Sequence, residues 1–425
     1  MAEYRRRIVD DELDELAPSL AAVAIEGAKA VGKTETALQR ARTVHYLDDP
    51  ADWLLLEADP DRLEHEKTPV LLDEWQRHPR SWDLVRRSVD RNSSGGRFLL
   101  TGSATPTDAP THSGAGRIVQ VRMRPLSLAE RDFGGPPTVS VRNLLTGDMS
   151  AVDGTTDLGL RDYADEIVRS GYPGIRGLGP RAARAQLDGY LARIVEREFS
   201  ELGRNVRRPA TLRAWLSAYA AATSTTASYT TVLDAASAGD SDKPAKTTTI
   251  AYREVLTQLW VLDPVPAWTP SNNVFARLSQ TPKHHLVDTA LAARLLGLSA
   301  ASLLANAAGT RVVGNQAPLL GNLFESLVAQ SLRVYAQASE ASVFHFRTQN
   351  GDREVDFIVE GADRRVLAIE CKVGAEVSDS DVKHLRWLRE RYSSHFVDAV
   401  VLTTGRYAYR RQDGIAVVPA SLLGP

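Results

Sequence analysis

The chain is poor in sulfur, with one cysteine and three methionines in 425 residues. A lone cysteine cannot close an internal disulfide, so no disulfide framework is expected and a reducing cytoplasm is the simplest home. Long apolar runs are lacking too. No stretch approaches the roughly 18 residues of a membrane span, and the first residues, MAEYRRRIVDDELDEL, lack the apolar core of a secretory signal. Neither sign of charge is in excess: Lys plus Arg number 51 and Asp plus Glu 53, a formal net charge of -2. That excludes a polycation drawn to nucleic acid by its overall field, so any contact with DNA must be local. At about 150 residues per domain, the length predicts two to four domains.

What is present begins with a phosphate-binding pattern. In AAVAIEGAKAVGKTETALQRA, Ala21 to Ala41, a short apolar strand runs into Gly27, Ala28, Lys29, Ala30, Val31, Gly32, Lys33 and Thr34, followed by good helix formers. The glycines permit tight turns that aim backbone N–H groups at phosphates, and the helix N-terminus adds the positive end of its dipole. Lys33 would reach the terminal phosphates and Thr34 would ligate magnesium. Further on, the apolar strand of TPVLLDEWQ ends in Asp73 and Glu74. Beside a phosphate loop, Asp73 would hold the magnesium through water and Glu74 would polarise the attacking water. A third strand, GRFLLTGSA, ends in Thr101, Gly102 and Ser103, and Ser103 is placed to sense the terminal phosphate. Ligands of open parallel sheets gather at the carboxyl ends of strands, where all three motifs lie.

These segments, with SGAGRIVQVRMRPLSLAE after them, resemble the phosphate loop, acidic strand, sensor strand and arginine segment of bacterial and archaeal AAA-type ATPases fused to a C-terminal domain of unknown function that is similar to restriction endonucleases. The resemblance implies ATP and magnesium as cofactors. It also makes Arg117 the arginine that stabilises charge on the transferred phosphoryl group, in its own or a neighbouring subunit, which leaves a homo-oligomer open. An ordinary surface arginine is the other reading.

After RDFGGPPTVS the alternation of strand and helix stops, which places a boundary near residue 135. The expected division is an ATPase domain at 1–135, a helical and winged-helix-like region at 136–270, and a restriction-endonuclease-like domain at 271–425, α/β overall. From Ala183 to Phe199 the apolar residues Leu187, Leu191, Ile194, Val195 and Phe199 recur at helical spacing, and the opposite face is rich in arginine. Between Arg181 and Arg213 there are eight arginines against four acids. Such a face either follows a phosphate backbone or is simply solvated. A helix from near Lys246 to Trp260, after two smaller ones, resembles the third helix of a winged-helix module, with Lys246, Tyr252 and Arg253 as DNA contacts; packing between domains serves equally well.

The last region carries Glu325 on an amphipathic helix, Asp356 on the second strand of a hairpin, and Glu370 and Lys372 in LAIECKVG. Residues two apart on a strand share a face, so Glu370 and Lys372 lie together and Cys371 points into the core. The order resembles a magnesium-dependent phosphodiesterase of the restriction-endonuclease type, with Glu325, Asp356 and Glu370 on the metal and Lys372 at the nucleophile. A buried Glu370–Lys372 ion pair is the alternative. His284, His285 and His345 lack metal-ligand spacing and are expected to pack. The expected function is an ATP hydrolase whose nucleotide state controls a nuclease-like, nucleic-acid-engaging domain. A nucleotide-gated DNA-binding regulator or toxin–antitoxin component with an inert nuclease fold remains the competing reading.

Overall fold

The computed structural model describes residues 4–104, 114–148, 152–202, 208–237, 244–269, 280–307, 317–348 and 350–425. Two of the eight clustered arginines, Arg204 and Arg207, lie outside the described residues. The chain opens with α1 (Ile8–Leu16), β1 (Ala22–Glu26), α2 (Lys33–Leu38), β2 (Thr43–Tyr46), α3 (Pro50–Ala58), β3 (Val70–Asp73), α4 (Arg80–Arg91), β4 (Phe98–Gly102) and β5 (Ile118–Arg122). The five strands form one sheet in the order β2-β3-β4-β1-β5, every neighbour parallel. Both faces are covered, so the strands are apolar on both sides. Ala22, Ala24, Leu72 and Leu100 join one cluster with Trp82 and Val85 of α4. Val23, Ile25, Leu71 and Leu99 point the other way, into a second cluster.

That second cluster continues beyond the sheet. After β5 come β6 (Val139–Ser140), α5 (Val141–Thr146) and β7 (Gly154–Thr155), and then the helices α6 (Leu160–Val168), α7 (Pro173–Arg176), α8 (Pro180–Arg193), α9 (Pro209–Ala221), α10 (Tyr229–Ala236) and α11 (Lys246–Gln258). Helix α8 runs on through a π-helical turn, Ile194–Glu198. Its apolar stripe of Leu187, Leu191, Ile194, Val195 and Phe199 is buried, as the spacing requires. Leu262 and Val265 then form antiparallel bridges with Leu286 and Lys283. Two short helices, α12 (Thr289–Leu295) and α13 (Ala300–Ala307), close this region.

The long helix α14 (Ala317–Ala338) leads into β8 (Ser342–Arg347), β9 (Glu354–Glu360), β10 (Val366–Lys372), α15 (Lys383–Arg391), β11 (Phe396–Thr403), β12 (Tyr407–Arg410), β13 (Ala416–Pro419) and β14 (Leu423–Gly424). Seven strands pair in the order β7-β12-β13-β11-β10-β9-β8, antiparallel from β8 to β10 and parallel from β10 through β11 to β13. Alternate residues serve two faces. Ala368, Ile358 and Val401 pack with Leu385 and Leu388 of α15, whereas Ile369, Phe357 and Val400 join the core that also holds α14. Strand β7, early in the chain, pairs with β12, and β6 pairs with β14. The residues after the Gly-Gly-Pro-Pro turn therefore pair with strands near the end of the chain.

One buried charge cluster pins the three regions together. Asp263 accepts from Arg124 Nε at 3.0 Å, faces Arg122 Nη2 at 3.1 Å and pairs with Arg333 of α14. Burial works against its charge, but Arg122, Arg124 and Arg333 hold its carboxyl well below the usual carboxylate range. Removing the single acid leaves three guanidinium groups without their shared counter-charge. We expect Asp263→Ala to lose about 3–5 kcal/mol of stability in a denaturant titration. A loss under about 1 kcal/mol, the scale of an exposed pair, would show that the junction is held otherwise.

Candidate functional site

The parallel order brings the carboxyl ends of β1, β3 and β4 side by side, and the candidate residues sit on those ends. A Cβ on Gly27 would lie 2.1 Å from the carbonyl oxygen of Met123, so only glycine permits this approach. Gly32, at φ +103, caps α2 in the left-handed region. Ala28 and Val31 are buried packing residues of the loop, and Ala30 sits at φ 66.

Lys33, the first residue of α2, is 5% exposed, and its Nζ donates to the carbonyls of Gly27 at 3.0 Å and Ala28 at 2.9 Å. Its cation is curled into its own loop. Burial pushes its pKa down to about 8, with Glu74 and Asp73 opposing. Thr34 Oγ1 donates to Asp73 Oδ1 at 2.8 Å, and the Thr101 hydroxyl donates to the same oxygen. Burial raises the Asp73 carboxyl above its usual value, and these two hydroxyls pull the other way.

Glu74 adopts φ 54, ψ 44, a conformation uncommon outside glycine that turns its side chain out of the strand. Its Oε2 accepts from Ser103 Oγ at 3.0 Å and from the Gln76 amide, which also donates to Ser103 at 3.1 Å. Ser103 therefore touches the candidate water-polarising carboxylate itself. Two contacts were not legible in the motif. Lys29 Nζ pairs with Glu198 Oε1 at 2.5 Å, on the π-helical turn after α8, and Arg7 donates to the Val31 carbonyl at 3.0 Å while paired with Glu130 at 2.8 Å. A cavity of about 250 Å³ lies between the loop and α8, lined by Lys29, Ala30 and Ser103 on one side and Tyr190, Arg193 and Glu198 on the other.

Arg117 lies apart from this group. It precedes β5, whose Ile118 is level with Ala22 at the start of β1, so it sits at the sheet edge opposite the loop and pairs with Asp90 at 2.9 Å. Tyr252 also departs from expectation. It is buried against Phe199 and Trp215 and is not free to touch DNA; Arg253 stacks on Tyr229, and Lys246 is exposed.

In the C-terminal sheet, Asp356 and Glu370 are neighbours, because Ile369 is level with Phe357 across β10 and β9. Lys372 Nζ donates to Glu370 Oε1 at 2.9 Å, and Cys371 N–H donates to Asp356 Oδ2 at 2.9 Å. The carboxylates do not, however, face an open space. Lys283 Nζ donates to Glu325 Oε1 and Asp356 Oδ1, both at 2.9 Å, and lies 3.1 Å from Glu354 Oε1. Sequence reasoning missed Lys283 and Glu354: the lysine stands 42 and 73 residues before its partners Glu325 and Asp356, beside histidines that drew attention instead. Among the described residues, no group of three or more His, Cys, Asp or Glu is placed to hold a metal ion. No helix among them is long and apolar enough to cross a membrane.

Comparison with known proteins agrees with the first sheet: residues 20–131 match the family described as an AAA domain. Over that stretch the chain is similar to AAA domains, which supports a P-loop ATPase. Residues 160–302 and 320–423 match two families described only as domains of unknown function. Uncharacterised proteins of Mycobacterium tuberculosis and Mycobacterium bovis are each 27% identical over 295 residues, 68% of this chain and 56% of theirs. The chain thus spans about half the length of the curated relatives it matches. Two solved structures are loosely alike at 15% identity. They are a Walker-type ATPase of Pyrococcus abyssi, with TM-score 0.40 over 69% of this chain and 96% of that one, and the ORC2 protein of Aeropyrum pernix, with 0.29 over 70% and 95%.

A nucleotide bound at this loop would meet the buried Lys33, and its binding would then depend on pH. Phosphates beside Lys33 favour its charged form, so above about pH 8 binding takes up a proton. Affinity for ATP should fall as pH rises from 8 to 9.5, by up to about tenfold per unit. A fluorescent-nucleotide titration that stays flat over this range would contradict the role given to Lys33.

Proposed function

We propose that this chain is a cytoplasmic, magnesium-dependent ATP hydrolase whose nucleotide state is passed to a nuclease-like, nucleic-acid-engaging C-terminal domain. The observation that carries the reading is the meeting of Lys33, Thr34, Asp73, Glu74 and Ser103 on three adjacent strand ends. Thr34 Oγ1 and Asp73 Oδ1 are hard oxygen donors 2.8 Å apart, a fit for magnesium with Thr34 as direct ligand and Asp73 acting through water. When bound, the ion supplies neutralisation of phosphate charge. Lys33 leaves the carbonyls of Gly27 and Ala28 for the phosphates, and Glu74, oriented by Ser103 and Gln76, takes the proton of the attacking water. Arg117 can contribute only across an interface with a second copy.

Two routes support transmission from the site. Phosphate competes with Glu198 for Lys29, which links the loop to α8. The segment after β5 bonds directly to α14: Leu128 N–H donates to Ser331 at 3.0 Å and Ala129 N–H to Tyr335 at 2.9 Å. The exposed Arg181, Arg184 and Arg197 offer a local basic face for a phosphate backbone. The occupation of the C-terminal carboxylates by Lys283 favours a second reading, a nucleotide-gated regulator or toxin–antitoxin component in which the nuclease fold is inert.

The hydrolase reading is tested by two substitutions. Lys33→Ala should abolish nucleotide binding, whereas Glu74→Gln should keep binding and lower phosphate release by about 10²–10⁴-fold. Equal turnover in Glu74→Gln and the parent would sink the role of Glu74.

A further inference from the structure

Lys283 reaches α14 and β9 from the segment before α12, and its main chain is fixed there by Val265. Its N–H donates to the Val265 carbonyl and its carbonyl accepts from Val265 N–H, both at 2.9 Å. Its side chain is 1% exposed and passes near the Phe357 ring before ending among Glu325 of α14 and Glu354 and Asp356 of β9. The Lys283 ammonium donates to Glu325 Oε1 and Asp356 Oδ1, both at 2.9 Å, and is ion-paired with Glu354 Oε1 at 3.1 Å.

A magnesium ion shared by Glu325 and Asp356 would sit about 2.0–2.1 Å from an oxygen of each and would need a nearly octahedral shell. The Nζ atom, hydrogen-bonded to both, takes that space. Burial opposes the charge of Lys283, but Asp356, Glu325 and Glu354 hold it well above the ordinary lysine value. Asp356 is held below its usual value, burial notwithstanding, chiefly by Lys283, while burial and Asp356 push Glu325 well up, towards its protonated form. Beside them, Glu370 gives one oxygen to Lys372, and its other oxygen is buried with no hydrogen-bond partner.

We propose that Lys283 is the resident cation of this carboxylate cluster, standing where a divalent metal would have to bind, so that the cluster clamps the segment paired with Val265 to α14 and β9 instead of cleaving phosphodiesters. The clamp itself follows from the ion-pair geometry; only the identity of the displaced ion rests on the nuclease-like reading. Removing the lysine side chain should therefore create a divalent-cation site from Glu325, Asp356 and Glu370.

The test uses the full chain without nucleotide, titrated with manganese and followed by the loss of the free-ion EPR signal. The parent should show no uptake that Asp356→Asn removes. Lys283→Ala should gain one site per chain, at least about tenfold tighter than anything in the parent, and manganese should raise its melting temperature while leaving the parent's unchanged. Should Lys283→Ala not fold, Lys283→Ala with Glu325→Gln relieves one carboxyl and keeps Asp356 and Glu370 as ligands. Parental uptake of one manganese that is lost in Asp356→Asn overturns the inference, as does a folded lysine variant that binds none. Manganese-dependent DNA cleavage by the parent, lost in Glu370→Gln, would overturn it while upholding the nuclease reading.

Discussion

The backbone of Gly27 lies against the carbonyl of Met123, so closely that a Cβ would stand 2.1 Å from that oxygen. This approach sets the phosphate loop against the segment that follows β5. Arg7 reinforces the contact by joining the Val31 carbonyl to Glu130. From that segment Leu128 and Ala129 bond to Ser331 and Tyr335, and Arg124 pairs with Asp263, which also holds Arg333. The AAA domain, the middle helices and α14 thereby share one apolar core. A change at the loop has a continuous packed path to the C-terminal domain, whose carboxylate Glu325 lies on the same helix as Ser331 and Tyr335.

A buried lysine stands in each of the two candidate sites, with opposite consequences. Lys33 lies on neutral carbonyls, its charge weakened by burial, so on the proposed reading an arriving phosphate would gain it as a partner. Lys283 already has three carboxylates, and its charge is strengthened by them. The first arrangement is open to a ligand and the second is internally compensated. Breaking a compensated buried pair is costly, which suits a clamp better than a site that must bind and release.

The AAA domain was legible because its signals are local. Glycine spacing, an apolar strand on each side and an acid pair at a strand end are readable within a few residues, and the parallel sheet brings those ends together. The apolar stripe of α8 was legible for the same reason. Lys283 was not, because its partners lie on a distant helix and strand and nothing in TPKHHL marks the lysine. Arg117 sits in a readable segment, yet the strand that follows carries it to the sheet edge away from the loop. The pairing of β6 and β7 with strands near the end of the chain joins residues more than 250 positions apart, beyond the reach of any periodicity. Tyr252 was read as a DNA contact from the likeness of its helix to a winged-helix third helix, but aromatic packing with Phe199 and Trp215 claims it.

The account turns on a phosphate loop whose lysine is released by its ligand. A crystal structure with a non-hydrolysable ATP analogue and magnesium tests this most directly. Lys33 Nζ should have left the carbonyls of Gly27 and Ala28 for a phosphate oxygen about 3 Å away, with Thr34 turned from Asp73 towards the ion. Nucleotide bound elsewhere, or Lys33 still on those carbonyls beside a bound nucleotide, would contradict it.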